Sequence, residues 1–141
     1  MGMYTELNIA VEVNTDENTR VILEYMVADK HYELNAKLPK HRLFESPRWQ
    51  YMLKGQSYYF DHTADSTFVD KDSWSEKPHN NRILNVRCDI KNYDDEIEHF
   101  LDWIYSFTAT RGFIGYKRYE EHANPTLIYF TDSGVEYRKV E

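Results

Sequence analysis

The chain has 141 residues, of which 41% are hydrophobic and 16% aromatic, which is enough apolar surface for the core of one domain. Acidic residues outnumber basic ones by 24 to 17, and the net charge of -7 comes with dispersed cations, so a nucleic-acid-binding surface is disfavoured. The single cysteine excludes an intramolecular disulfide and a cysteine-rich metal cluster.

The first two elements have clear periodic signals. TELNIAVEV alternates between polar and apolar side chains, which predicts a strand with one buried face. NTDENTRVILEYMVADK places acidic residues ahead of an apolar stripe, which predicts a helix of about three to four turns. We expect Asn14 or Thr15 to cap this helix.

Residues 30–80 carry weaker signals. Ser46 followed by Pro47 is typical of a helix start and predicts a short helical turn at 47–53, ended by Gly55. QSYYF and STFVD are short strand candidates on either side of the polar run DHTAD. KDSWSEKPHNN has the composition of a loop.

The last sixty residues are more regular. RILNVRCDIKN alternates and predicts a strand, and residues 94–107 predict a helix. FIGYKRYEE, TLIYF and VEYRKV predict three strands, the last two joined by a DSG turn. The order of elements predicts one α+β domain over residues 1–141, with a mostly antiparallel sheet and two main helices packed on one face.

The stretch KNYDDEIEHFLDWIYSF is the part of the chain that most resembles a chemical site. On a helix, one face is apolar and comprises Ile97, Phe100, Leu101, Ile104 and Phe107. The opposite face comprises Asp95, Glu98, His99 and Asp102. Amphipathicity alone requires this segregation, whereas a catalytic carboxylate needs a pocket of low polarity. We interpret the acidic face as solvated, and the alternatives are an acidic contact surface and, last, an acid/base site.

Other candidates for catalysis are weak. None of the six histidines forms a close pair of metal ligands, and Cys88 falls in the apolar phase of a strand, where a core residue is expected. No nucleophile elbow, phosphate-binding loop or dinucleotide motif occurs. The sequence therefore predicts no catalytic residue, no metal and no cofactor.

The stretch SYYFDHTADSTF places hydrogen-bonding groups beside aromatic rings. Such a mixture suits a small-ligand pocket or a protein contact patch, and equally the rim of a hairpin. In YKRYEE, a strand would put Tyr116 and Arg118 on one face and Lys117 and Tyr119 on the other. The candidate binding residues are Tyr58, Tyr59, His62, Asp65, Arg87, Lys117 and Arg118.

Three blocks, MYTELN, ILNVRCDIKNYDDEIEHFLDWI and GYKRYEEHANPTLIYF, together resemble a group of small uncharacterised proteins of phage and prophage type. The resemblance implies an accessory protein that acts by binding, and small acidic proteins of this type include inhibitors of host factors. We therefore expect a non-enzymatic protein that contacts another protein or a second copy of itself. The alternative is a small-ligand- or nucleotide-binding or processing domain that uses the Tyr58–Thr67 segment.

The expected location is the cytoplasm. No apolar run approaches the ~20 residues that span a bilayer, so no membrane contact is expected. The opening MGMYTELN lacks the basic and apolar regions of a signal peptide.

Overall fold

A computed structural model describes residues 3–28, 32–57, 60, 64–70 and 81–140. Within these residues the chain forms six strands and two α-helices. They are β1 (Thr5–Asn14), α1 (Glu17–Val27), β2 (Thr67–Asp70), β3 (Asn81–Ile90), α2 (Glu96–Tyr105), β4 (Gly112–Tyr119), β5 (Thr126–Thr131) and β6 (Gly134–Lys139). Two short 3₁₀-helices, Arg42–Glu45 and Met52–Lys54, lie between α1 and β2.

The strands form one antiparallel sheet in the order β2-β3-β1-β4-β5-β6. β3 lies between β1 and β2, and β1 lies between β3 and β4, so the first four strands and the two helices form a split β-α-β-β-α-β arrangement. The β5–β6 hairpin extends this sheet at one side. The predicted α+β fold with a mostly antiparallel sheet is confirmed.

The two helices cover the same face of the sheet. On β1, the side chains at odd positions from Leu7 to Val13 are at most 3% exposed and belong to one apolar core. Glu24 of α1 lies 3.5 Å from Arg82, the register partner of Val13. Glu98 of α2 lies 3.0 Å from Lys117, the register partner of Leu7. We call this the covered face, and the side that carries the even positions of β1 the open face.

The predicted apolar stripe of α2 is confirmed. Its first four members are fully buried, and they are Ile97, Phe100, Leu101 and Ile104. The helix itself is shorter than predicted at both ends, because residues 106 and 107 form a turn after it and residues 92–95 form a turn before it. In that turn Asn92 Oδ1 accepts a hydrogen bond of 2.8 Å from the Ile97 N–H, which satisfies one of the free donors at the helix start.

Aromatic side chains fill the space between the helices. Trp49 has ring contacts with Tyr25 of α1 at 5.9 Å and with Phe44 at 5.0 Å, and Phe44 contacts Trp103 of α2 at 5.1 Å. The edge-on geometry of the Phe44 contacts is a preferred arrangement for aromatic rings. The helical turn predicted at 47–53 is present as turns over residues 47–51, which lead into the 3₁₀-helix Met52–Lys54. Through Trp49 it is part of the core.

Two local predictions are wrong. The residue that caps α1 is Asp16, rather than Asn14 or Thr15, because its carboxylate accepts a 2.8 Å hydrogen bond from the Thr19 N–H. This bond lowers the pKa of Asp16. The strand predicted at QSYYF is not formed by its described residues, 56, 57 and 60, whereas STFVD forms β2 as predicted.

Candidate functional site on the open face

The structure places four of the seven predicted binding residues, since Tyr58, Tyr59 and His62 lie outside the described residues. Asp65 and Arg87 are neighbours: the Asp65 N–H donates to the Arg87 carbonyl oxygen at 2.9 Å, and both residues are exposed. The remaining two, adjacent in β4, project from opposite faces of the sheet.

Arg118 lies on the open face beside a buried carboxylate. Its Nε lies 2.8 Å from Glu6 Oε1, and its guanidinium lies 5.1 Å from the centre of the Phe60 ring. Glu6 is only 5% exposed although no helix among the described residues lies on this face. Asp89, its register partner on β3, is 1% exposed and accepts a 3.2 Å hydrogen bond from the Ser57 N–H. Ser57 and Phe60 therefore cover part of this end of the open face.

Lys117 points to the covered face and joins the acidic side of α2. Its Nζ lies 3.0 Å from Glu98 Oε1 and 4.6 Å from the centre of the Tyr137 ring. Glu98 also accepts two 2.9 Å hydrogen bonds from Asn92 Nδ2. The predicted solvated face is thus partly engaged, because a strand distant in sequence brings a cation to Glu98.

The rest of the acidic face of α2 is closer to the prediction. Asp95 and Asp102 are exposed, and Asp102 Oδ2 lies 2.9 Å from His41 Nε2. Among the residues that the structure describes, no group of three or more His, Cys, Asp or Glu side chains is placed to hold a metal ion.

A depression of about 410 Å³ occupies the middle of the open face. It lies where β1, β3 and β4 run side by side, next to the Asp65–Arg87 contact. Its walls combine aromatic, amide and charged side chains. The residues that contribute these aromatic, amide and charged side chains are Asn8, Asn85, Asp65, Arg87, Phe113 and Tyr116.

A β-bulge shapes one wall of the depression. The β4–β5 register shifts between Phe113 and Gly115, which adds one residue to β4. Gly115 has a φ of +150° in close contact with β1, and a Cβ there would lie 2.0 Å from the Asn8 carbonyl oxygen. Only glycine therefore allows β4 to approach β1 this closely.

The bulge presents an aromatic row that the sequence interpretation missed. Phe113 is 57% exposed and contacts Tyr129 edge-on at 5.6 Å, and the Arg138 guanidinium lies 3.9 Å from the centre of the Tyr129 ring. The row crosses β4, β5 and β6 on the open face. The available signal was the run FIG, in which two apolar residues precede a glycine and break the alternation.

A second, smaller cavity of about 220 Å³ lies near the start of α2. Arg48 and Lys91 line it together with Tyr4 and Tyr51. Arg48 is already paired at 2.5 Å with Glu96, a carboxylate that is fully buried. This pair fixes the turn before α2, which favours a structural role for Glu96 over a chemical one.

Cys88 is a core residue, as predicted. It is fully buried on the covered face of β3. Burial, with a smaller contribution from the charge of Asp89, raises the pKa of the Cys88 thiol far above its ordinary value. A buried, protonated thiol is a poor nucleophile.

Comparison of the chain with protein-family models, with curated protein sequences and with solved structures gives no match. In the portion of the chain that the structure describes, neither helix has the length and apolar character that a membrane crossing requires.

Proposed function

We propose that this chain is a non-enzymatic accessory protein of phage or prophage type that acts by contact with another protein, and that the depression on the open face is the centre of this contact. The observation that carries the proposal is Phe113, which is 57% exposed at the wall of a depression of about 410 Å³. Phe113 continues into Tyr129 through an edge-on contact of 5.6 Å, and an apolar patch rimmed by polar residues is typical of a protein contact site.

The arrangement around Phe113 supports a protein partner. Protein interfaces combine an apolar, aromatic centre with a polar rim, and arginine is enriched in them. Here Phe113 and Tyr129 form the centre, and exposed charges of both signs, at Asp65 and Arg87, line the depression beside it. The partner that fits is a protein that inserts an apolar side chain into the depression and carries mixed charge around it.

The resemblance to phage and prophage proteins and the net charge of -7 support a host factor as the partner, whose activity the contact inhibits. Dispersed cations are a poor basis for nucleic-acid binding, because phosphate contacts supply most of that affinity.

The proposal is tested by affinity capture from a host lysate, with mass-spectrometric identification of the bound proteins. The test variant is Phe113→Asp. Its matched control is Tyr93→Asp, because Tyr93 is 56% exposed and lies in the turn between β3 and α2. Both variants add one negative charge. We expect a captured protein that Phe113→Asp loses and Tyr93→Asp retains. Equal capture by both variants would contradict the proposal.

The second candidate function is the binding or processing of a small ligand or nucleotide. The cavity near α2 favours it, because Lys91, whose Nζ lies 5.7 Å from the Tyr4 ring, could hold an anion beside an aromatic wall. Lys117 and Arg118 support it less, since each is engaged by a carboxylate on opposite faces of the sheet.

A nucleotide titration followed by NMR distinguishes the two functions. Small-ligand binding predicts shifts at Gln56 and Lys91 that are lost in Lys91→Met, whereas the contact function predicts no shift at these positions.

A further inference from the structure

The outer edge of β6 is a second surface that can take a partner. β6 ends the strand order, and among the described residues its neighbour is β5 alone. Its six residues, Gly134–Lys139, therefore present alternate N–H and C=O groups outward from the sheet. Such a row is a template for one more strand.

The charges on β6 are arranged symmetrically about Tyr137. Glu136 and Arg138 lie on the open face, 2.8 Å apart, and Tyr137 lies between them on the covered face. All three residues are exposed. An antiparallel copy of the strand carries its positive and negative charges in the reverse order, at the same distance from Tyr137. Each charge of one strand therefore faces a charge of opposite sign on the other.

We infer that β6 pairs antiparallel with β6 of a second copy of this chain, about a two-fold axis at Tyr137. In this register Glu136 of each copy lies opposite Arg138 of the other, and the two Tyr137 side chains lie opposite each other. Directly opposed charges of unlike sign and paired aromatic rings both stabilise antiparallel strands. A two-fold axis makes the contact closed, so the product is a dimer rather than a fibre.

The covered face supports the same register. Lys139 of one copy falls opposite Val135 of the other, beside the helix α2 that lies over that strand. Glu98 reaches the covered side of β6 through Lys117, whose Nζ lies 3.0 Å from Glu98 Oε1 and 4.6 Å from the centre of the Tyr137 ring. Partial burial, together with the charges of Glu98, Asp102 and Asp95, raises the pKa of Tyr137. An added Lys139 from the second copy enters this negative region with favourable charge.

The same charges select the partner. A charged edge strand normally resists pairing with unrelated strands, because the charges face apolar or like-charged side chains. The other edge strand, β2, has only four residues, Thr67–Asp70, and offers a shorter template. Self-pairing through β6 is therefore the pairing that the charge pattern permits.

Sedimentation equilibrium of the full chain tests the inference. A short interface gives weak association, so the measurement extends to about 1 mM protein. We expect the wild type to approach twice the 17.0 kDa mass of one chain as the concentration rises. Glu136→Arg and Arg138→Glu, each alone, place like charges opposite each other and should remain monomeric.

The decisive sample is an equimolar mixture of these two variants. In the mixture, residues 136 and 138 of one variant again face residues of opposite charge on the other, so the mixture should dimerise. The doubly exchanged variant E136R/R138E should dimerise for the same reason. Glu17→Arg is the control, because Glu17 makes a surface ion pair with Arg20 on α1 and should leave dimerisation unchanged. Circular dichroism confirms that every variant is folded.

A wild type that stays monomeric at all concentrations would overturn the inference. So would a mixture that fails to dimerise although both variants are folded. Phe113→Asp should dimerise like the wild type, which separates this surface from the contact on the open face.

Discussion

On β1, the side chains that face the helices from Leu7 to Val13 are at most 3% exposed, whereas on the other side Ala10 is exposed and Glu6 is buried beside Arg118. On the covered face the side chains of β1 from Leu7 to Val13 are uniformly apolar, and the charged Arg82 and Lys117 lie beside the two ends of this row. The open face is divided into two parts. One end contains the Glu6–Arg118 pair with Ser57 and Phe60 against it, and the middle contains the depression.

This difference shows what covering a sheet requires. Helices with an apolar stripe cover an apolar face without specific partners, because the hydrophobic effect is non-directional. At the end of the open face beside Ser57 and Phe60, the carboxylates of Glu6 and Asp89 are buried, and each needs hydrogen bonds or an opposite charge to offset its desolvation. The uncovered part carries the exposed Phe113 and is available to a partner.

The largest effect is expected on the covered face. Leu101→Ala removes a fully buried side chain that packs α2 on the sheet and should reduce the free energy of unfolding by about 2–5 kcal/mol. The denaturation midpoint in urea measures this effect. An unchanged midpoint would show that α2 does not supply the cover.

The next effect is expected at the bulge. Gly115→Ala places a Cβ 2.0 Å from the Asn8 carbonyl oxygen, so β4 must move away from β1 at a cost of roughly 1–3 kcal/mol. Gly112→Ala is the control, because Gly112 also has a positive φ, +100°, but no atom lies within 4 Å of an added Cβ. Equal losses for the two variants would mean that the close approach contributes nothing.

A smaller effect is expected at the covered end of the open face. Glu6→Gln keeps the shape but removes the charge that faces Arg118, and should cost about 1–2 kcal/mol of unfolding free energy. Glu136→Gln, in an ion pair of the same 2.8 Å length on exposed side chains, should leave the thermal midpoint of the monomer unchanged. Equal midpoints for both variants would show that the cover does not exclude water from Glu6.

The smallest effect is expected in the middle of the open face. Phe113→Ser removes an exposed ring and should change the free energy of unfolding by no more than about 0.5 kcal/mol. Calorimetry of the isolated protein measures this change. A loss comparable to that of Leu101→Ala would mean that Phe113 is a core residue and would weaken the proposed contact.

The sequence predicted the elements whose periodicity is long. The alternation in β1 and β3 and the stripe in α2 were each sufficient, because a regular pattern over about ten residues fixes both the element and its buried side. The separation of Arg118 from Lys117 onto opposite faces of β4 was also predicted and is confirmed. The aromatic residues of QSYYF suggested a strand. The N–H of Ser57, however, donates to the Asp89 side chain rather than to the backbone of a neighbouring strand.

The candidate site was the less predictable part. Asp65 and Arg87 were named and are in contact through the backbone, but Phe113 was missed because it is one residue in a strand that otherwise alternates. Asn8 and Asn85 were not named either, since an amide on a strand is ordinary until other residues make a depression around it.

By itself the sequence determined the long strands and the two helices and which of their sides are buried, because those properties depend on neighbours a few residues apart. The tertiary structure decided which charges meet. Glu6 and Arg118 are 112 positions apart, and their contact exists only because β4 pairs with β1 in one register. The depression has the same origin: it needs the strand order, the bulge at Gly115 and the absence of a side chain there, all of which are consequences of packing between distant parts of the chain.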